Sequence, residues 1–123
     1  FLDVDADAYE SHRVRLVRRG APNARTIASC GATVLDTRCE IVDPQTLAKL
    51  PDGRVGELWV KGTTVAQGYW GQPDTTRETF AARLASGEGP FLRTGDFAFR
   101  IFDGLAVPAR VVDLDERVVH LYD

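Results

Sequence analysis

Apolar and polar residues alternate along two short stretches in the middle of the chain. Residues 38–42 carry Cys39 and Ile41 on either side of Glu40, and residues 55–61 alternate in the same way. A period of two residues places successive side chains on opposite faces of a β-strand. A Pro-Asp-Gly turn precedes the second stretch, so the pattern predicts two strands that pair with each other.

A helix is predicted after the second of these strands. Pro73 and Asp74 suit the first turn of a helix, and Thr75 followed by Glu78 has the spacing of a capping box. Gly87 is suited to end the helix. The apolar residues expected on one face are Phe80, Ala81 and Leu84.

Further strands are predicted towards both ends. Within residues 3–20, Val14 and Leu16 alternate with polar neighbours and suit a short surface strand, which a turn of helix within residues 5–13 would precede. Residues 91–102 are rich in aromatic side chains. An Asp-Gly turn then leads into residues 105–112, where Pro108 indicates an edge strand because proline lacks an amide donor. Five to seven strands and one clear helix indicate an α+β fold that is mainly β, a small barrel-like or bent sheet.

Charge and hydropathy limit the partners. Fifteen basic and eighteen acidic residues give a net charge of −3, too balanced for a protein that binds nucleic acid or a membrane surface. The apolar runs are too short for a membrane span and no signal-peptide pattern is present, so we expect a cytoplasmic setting. With 44% hydrophobic residues, one core is expected.

The cysteines and histidines show no pattern of a metal or catalytic site. Cys30 and Cys39 have no second pair and no neighbouring histidine, which fits neither a zinc site nor a redox motif. Buried thiols are the simpler interpretation, with a disulfide as the alternative. His12 and His120 lack a sequence partner that would make either one a base, and both are assigned to the surface.

Three motifs follow one another in the chain. Residues 56–62 read Gly-Glu-Leu-Trp-Val-Lys-Gly, residues 65–70 read Val-Ala-Gln-Gly-Tyr-Trp, and residues 93–96 read Arg-Thr-Gly-Asp. Their order and spacing resemble landmarks of the adenylate-forming superfamily. Within it, Thr-Ile-Ala-Ser-Cys-Gly at residues 26–31 and the long approach at residues 87–92 look most like fatty acyl-AMP ligases.

This resemblance implies an activity. Such enzymes make an acyl-adenylate from a fatty acid and ATP with magnesium, and then pass the acyl group to the phosphopantetheine of an acyl carrier protein. Their phosphate loop, adenine-contacting stretch and catalytic lysine belong to other regions. The abrupt chain ends also suggest an excised piece, which we expect to be inert alone, without bound cofactor, and to associate with the rest of the adenylating domain or with itself.

The resemblance also divides the chain. Residues 1–25 are similar to an insertion thought to brace the mobile carboxy-terminal domain and to disfavour coenzyme A. Residues 26–112 correspond to the β-rich end of the large adenylating domain. Residues 113–123 correspond to the hinge and the start of the carboxy-terminal domain, although their sequence departs from the usual family pattern.

Asp96 is the sharpest candidate site residue. Its carboxylate has two acceptor oxygens that suit the 2′ and 3′ hydroxyls of a ribose, and Gly95 lets the backbone bend near the nucleotide. The alternative is an aspartate that bonds its own backbone in a turn. Arg110 matches an arginine that reaches the ribose or phosphates, or is a solvated charge at a strand edge; it follows Pro108 and an alanine in place of the family's glycine.

The remaining assignments are a hinge and a pocket wall. Asp113 matches the hinge position, although an ordinary loop aspartate fits as well. Ser29, Cys30 and Gly31 correspond to a segment that borders the acyl pocket, with core packing of Cys30 as the alternative. No residue is assigned a catalytic role or a metal. The aromatic residues expected in the core are Trp59, Tyr69, Trp70, Phe97 and Phe99.

Two other functions stay open. An acyl-CoA synthetase would share the adenylation step and differ in the acceptor. A non-catalytic domain that kept the scaffold of an adenylating enzyme for protein binding would lack the chemistry altogether.

Overall fold

The computed structural model of the chain describes residues 1–29, 33, 35–101 and 117–120. A two-stranded antiparallel sheet pairs β1 (Leu2–Asp5) with β2 (Ala24–Ile27). A four-stranded antiparallel sheet has the order β3 (Arg38–Val42), β4 (Gly56–Lys61), β5 (Leu92–Ile101), β6 (Arg117–His120). This arrangement confirms an α+β fold that is mainly β, and its strand order is that of an open sheet. The two helices among the described residues are α1 (Ala6–Glu10), between β1 and β2, and α2 (Pro73–Phe80), between β4 and β5.

The predicted hairpin of β3 and β4 is present. Arg38 pairs with Lys61 at one end of the hairpin and Val42 with Glu57 at the other. Gly56 opens β4 where a Cβ atom would lie 2.6 Å from Leu50 Cδ1 and 2.7 Å from the Val42 carbonyl oxygen. A residue without a side chain is therefore required where the connection packs on the hairpin.

Helix α2 begins at Pro73 as predicted, but the predicted capping box is wrong. The N-cap is Gln72, and its side chain makes no capping hydrogen bond. The Thr76 hydroxyl instead accepts a hydrogen bond from the Tyr69 N–H at 2.9 Å and lies 3.3 Å from the Tyr69 carbonyl oxygen as a donor. Helix α2 is therefore tied to the preceding loop from its second turn, a contact that short-range spacing does not reveal.

The end of α2 also differs from the prediction. The helix stops at Phe80, and Gly87 lies in a later turn. Ala82 instead forms a bridge with Phe91, with N–H to carbonyl distances of 3.1 and 2.9 Å in the two directions. This pairing satisfies backbone groups that a longer helix would have used, and it carries Leu84 into the core.

The opening segment contains the predicted turn of helix. Asp5 is the N-cap of α1, and its carboxylate accepts the Ala8 N–H at 2.9 Å. The strand predicted around Val14 and Leu16 is not formed: Leu16 makes only an isolated bridge to Val4, and the strand of this segment, β1, precedes the helical turn instead. The turn and strand predicted after Ile101 lie outside the described residues, and β6 adds an edge strand from the segment 113–123.

Two buried clusters form most of the core. One cluster joins the opening segment to the larger sheet through Leu2, Val4, Ile27, Val55, Phe99 and Ile101. The second lies around Trp59 and Phe91, whose ring centroids are 6.2 Å apart. The opening segment is therefore packed into the body of the molecule rather than appended to it.

The prediction that all five aromatic residues lie in the core is partly wrong. Trp59 and Phe99 are buried, but Trp70 is 100% exposed, Tyr69 49% and Phe97 42%. Tyr69 and Trp70 lie in the loop before α2, where Tyr69 packs edge-on against Phe80 at 5.2 Å. Phe97 follows an irregularity in β5. The local pattern of apolar residues does not show which side chains the rest of the fold covers.

Predictions for one histidine and one cysteine fall on residues whose side chains the structure describes. His12 is exposed, as predicted, and adopts a positive φ of 56°. Cys39 carries a thiol and is half-buried. Cys30 lies outside the described residues.

Glu40 is a buried carboxylate surrounded by cations. It is 3% exposed, and Arg38 and Lys49 approach it at 2.7 and 2.9 Å, with Arg100 at 3.9 Å. Burial opposes the ionised form, but hydrogen bonds and charge from Lys49 and Arg38 outweigh it, so the pKa of Glu40 lies below its ordinary value. The cluster links β3, the turn after it and β5.

Glu40→Gln should therefore reduce stability at neutral pH by about 1–3 kcal/mol, because charged hydrogen bonds are lost from a buried site. A lowered folded-state pKa contributes stability that is present above the ordinary glutamate value of 4.5 and disappears as the pH falls through the folded-state value. Urea denaturation between pH 7 and pH 3 should show the gap between wild type and variant closing in acid. The exposed Glu78→Gln serves as the control, and a constant gap would contradict this account.

Candidate functional site

The Arg-Thr-Gly-Asp motif forms a bulge in β5. Trp59 pairs with Arg93 and Glu57 with Phe97, so Leu58 alone on β4 faces residues 94–96 of β5. Gly95 has a φ of 77°, in the left-handed region that glycine adopts without a Cβ penalty. The prediction that this glycine permits a backbone bend is confirmed.

Hydrogen bonds within the bulge fix the backbone of Asp96. The Thr94 hydroxyl donates to the Leu58 carbonyl oxygen at 2.8 Å and accepts the Asp96 N–H at 3.1 Å. This one hydroxyl therefore connects the motif to β4 and fixes the position of the Asp96 N–H. The Asp96 side chain is exposed at the surface, as a residue that meets a ligand would be.

An ion pair lies beside the bulge. Arg93 Nε and Nη2 donate to the two carboxylate oxygens of Glu57 at 3.1 and 2.6 Å, a paired geometry typical of guanidinium and carboxylate. The Arg93 guanidinium also lies 5.3 Å from the centroid of the buried Trp59 ring. Sequence reasoning missed this pair, because its members are 36 residues apart.

The electrostatics of Glu57 favour its charged form. Its side chain is 6% exposed, and burial alone would raise its pKa. Hydrogen bonds and charge from Arg93 outweigh burial, and the Gly95 N–H contributes in the same direction, so the pKa of Glu57 is lowered. The ionised carboxylate is therefore the form that the fold accommodates.

Of the other predicted site residues, the structure describes only Ser29. Ser29 is half-buried and follows β2, the strand of the smaller sheet, whereas Asp96 belongs to the larger sheet. Cys30, Gly31, Arg110 and Asp113 lie outside the described residues. The structure thus describes the geometry of the Asp96 candidate and does not test the others.

A groove of about 530 Å³ opens between β4 and α2. Its lining includes Asp36, Arg38, Val60, Lys61, Thr63 and Phe80. Asp36 accepts the Thr63 N–H at 2.8 Å and the Thr63 hydroxyl at 3.0 Å, and these bonds lower its pKa. Neither Asp96 nor Ser29 lines this groove, whereas the motifs at residues 56–62 and 65–70 both contribute to its walls.

Two kinds of site are absent from the part of the chain that the structure describes. In it, no three His, Cys, Asp or Glu side chains are grouped so that they could hold a metal ion. No helix there has the length and apolar character needed to cross a membrane.

Comparison with known proteins supports one family. Residues 11–70 match the model of a family described as AMP-binding enzyme. The medium-chain-fatty-acid–[acyl-carrier-protein] ligase JamA of Moorena producens is 39% identical over 116 residues, which cover 92% of this chain and 20% of that protein. The long-chain-fatty-acid–AMP ligase FadD32 of Mycobacterium marinum is 33% identical over 124 residues, covering 92% and 20%.

A solved structure agrees with these matches. A fatty acyl-adenylate ligase from Legionella pneumophila, crystallised with acyl adenylate and pyrophosphate, superposes with a TM-score of 0.74 at 30% identity. The aligned region covers 96% of this chain and 18% of that one. The chain therefore spans about a fifth of the length of the relatives it matches.

Proposed function

This chain belongs to the AMP-binding enzyme family, and we propose that it forms the ribose-contacting part of an ATP-dependent fatty acyl-AMP ligase. The observation that carries the proposal is the exposed Asp96 on a bulge whose backbone is fixed by Thr94. Two acceptor oxygens on one carboxylate match two adjacent ribose hydroxyls.

In the proposed reaction a fatty acid carboxylate attacks the α-phosphate of ATP, which forms the acyl-adenylate and releases pyrophosphate. Asp96 takes no part in bond making and orients the nucleotide through its ribose. Magnesium would accompany the ATP phosphates and neutralise their charge.

Other residues of the chain are proposed to complete the site. Arg110 would reach the ribose or the phosphates, and Asp113 would be the hinge of the carboxy-terminal domain. Ser29, Cys30 and Gly31 would line the acyl pocket. The exposed aromatic residues Tyr69, Trp70 and Phe97 would pack against the rest of the adenylating domain, or against a second copy of the chain.

We propose an acyl carrier protein as the acceptor, because one relative is named as a ligase of that kind. We also propose that the reaction takes place in the cytoplasm. The test is to supply the protein that carries this chain with ATP and a fatty acid, and then with carrier protein or coenzyme A. Acyl-adenylate, pyrophosphate and acylated carrier protein are expected. Acyl-CoA as the main product would indicate an acyl-CoA synthetase, and no pyrophosphate release would indicate a non-catalytic binding domain.

The opening segment, residues 1–25, is proposed to brace the carboxy-terminal domain. Deleting it would remove the buried Leu2 and Val4 from the core, so charge reversal at the exposed Arg18 and Arg19 is the sharper test. Acyl-CoA formation by the double variant should rise about tenfold if these charges contribute ~1.4 kcal/mol to the brace.

Mass spectrometry of the acyl products measures this effect. Arg77→Glu is the matched control, because Arg77 is also exposed but lies on α2. A double variant that adenylates normally and makes no more acyl-CoA than the control would show that the segment has another role.

A further inference from the structure

An ion pair between β4 and β5 spans the bulge. Arg93 directly precedes the bulge, and Glu57 pairs with Phe97, which directly follows it. The bonds of 3.1 and 2.6 Å between the guanidinium and the carboxylate therefore span the irregular stretch from one side to the other. Two parallel bonds fix the orientation of both groups as well as their separation.

Both members of this pair are anchored. Glu57 is 5% exposed and lies on β4, directly opposite the residue that follows the bulge. Arg93 lies over the ring of Trp59, which is 1% exposed and belongs to the second core cluster. The bulge is thus connected to the packed core on both of its sides.

We propose that Glu57 and Arg93 are positioning residues that hold the bulge so that Asp96 presents its carboxylate to the ribose. This inference rests on the proposed nucleotide site. Without the ion pair, the bulge would sample several backbone conformations. The conformational entropy lost when the nucleotide orders the bulge would then weaken binding. A displacement of about 1 Å in a binding group is enough to cost ~100-fold in rate.

The test compares two buried glutamates in the enzyme that carries this chain. Glu57→Gln should raise the KM for ATP about tenfold and reduce the preference for ATP over 2′-deoxy-ATP, with the KM for the fatty acid unchanged. Glu40→Gln is the matched control, because Glu40 is equally buried and ion-paired but lies on β3, one strand further from the bulge than Glu57. It should lose stability and keep the nucleotide preference.

Arg93→Lys is the second variant. Lysine keeps the positive charge but lacks the forked pair of donors, so it should shift the nucleotide preference in the same direction as Glu57→Gln. Because the change retains charge and much of the side-chain length, it keeps the inference testable if Glu57→Gln does not fold.

A nucleotide-free readout separates bracing from ribose binding. Amide hydrogen exchange in a peptide covering residues 92–97 should be several-fold faster in Glu57→Gln than in Glu40→Gln. If Glu57→Gln and Arg93→Lys match Glu40→Gln in exchange and preference, while Asp96→Ala loses the preference, the positioning role is overturned alone. If Asp96→Ala keeps full preference for ATP, the proposed nucleotide site fails, and the positioning role with it.

Discussion

Asp96→Ala, made in the enzyme that carries this chain, should lower the ATP-dependent kcat/KM by about 30-fold to 1000-fold. The carboxylate is proposed to accept two ribose hydroxyls, and hydrogen bonds to a charged group contribute roughly 1.5–3 kcal/mol each. Replacement water recovers part of this, which leaves a loss of roughly 2–4 kcal/mol. The fold should survive, because the side chain is exposed.

Pyrophosphate release at varied ATP, with fatty acid held constant, measures this loss. Wild type should discriminate against 2′-deoxy-ATP, and Asp96→Ala should not. Asp74→Ala is the control, since Asp74 is an exposed aspartate on α2 whose partner is the exposed Arg77. Equal activity of Asp96→Ala and wild type, with unchanged thermal melts, would remove the ribose assignment.

Phe99→Ala should destabilise the fold by about 3–5 kcal/mol, the range for removing a buried aromatic ring. Phe99 is fully buried and lies in the cluster that joins the opening segment to the larger sheet. The cavity would separate β5 from Leu2 and Val4, so the opening segment should loosen as well. Activity should fall through loss of folded protein.

Urea denaturation and hydrogen exchange of the peptide covering residues 2–5 measure these two effects. Phe97→Ala provides the matched control, because it deletes the same side chain two residues away on the same strand, where it is 42% exposed. Its cost should be below about 1 kcal/mol, typical of exposed sites. Equal losses in the two variants would contradict the burial that separates them.

The strands of the central hairpin could be predicted because their signals are local. Alternation defined β3 with its observed bounds, and the Pro-Asp-Gly turn signal marked the approach to β4. Alternation did not reveal which face is buried. Glu57 and Trp59 are buried, while Leu58 and Val60 are half-buried. The buried face can hold a glutamate because Arg93 pairs with Glu57 and offsets the cost of burying its carboxylate.

The candidate site could be predicted only in part, for a similar reason. Asp96 and Gly95 are adjacent in a recognisable motif, so both the carboxylate and the bend were identified. The pairing of Glu57 with Arg93 joins residues 36 apart, and nothing in the spacing of either residue indicates the other. The bulge depends on the register of two strands, which motif matching does not address.

The amino-acid sequence by itself determined the family, the mainly β class and the identity of the ribose candidate, because each follows from residues that are neighbours along the chain. Tertiary structure decided where α2 ends, which aromatic residues are buried and what supports Asp96. Those features depend on contacts between distant segments, such as Ala82 with Phe91 and Glu57 with Arg93. Burial and pairing of this kind exist only once the sheet has assembled, since the free energy of each contact depends on groups that other strands bring to it.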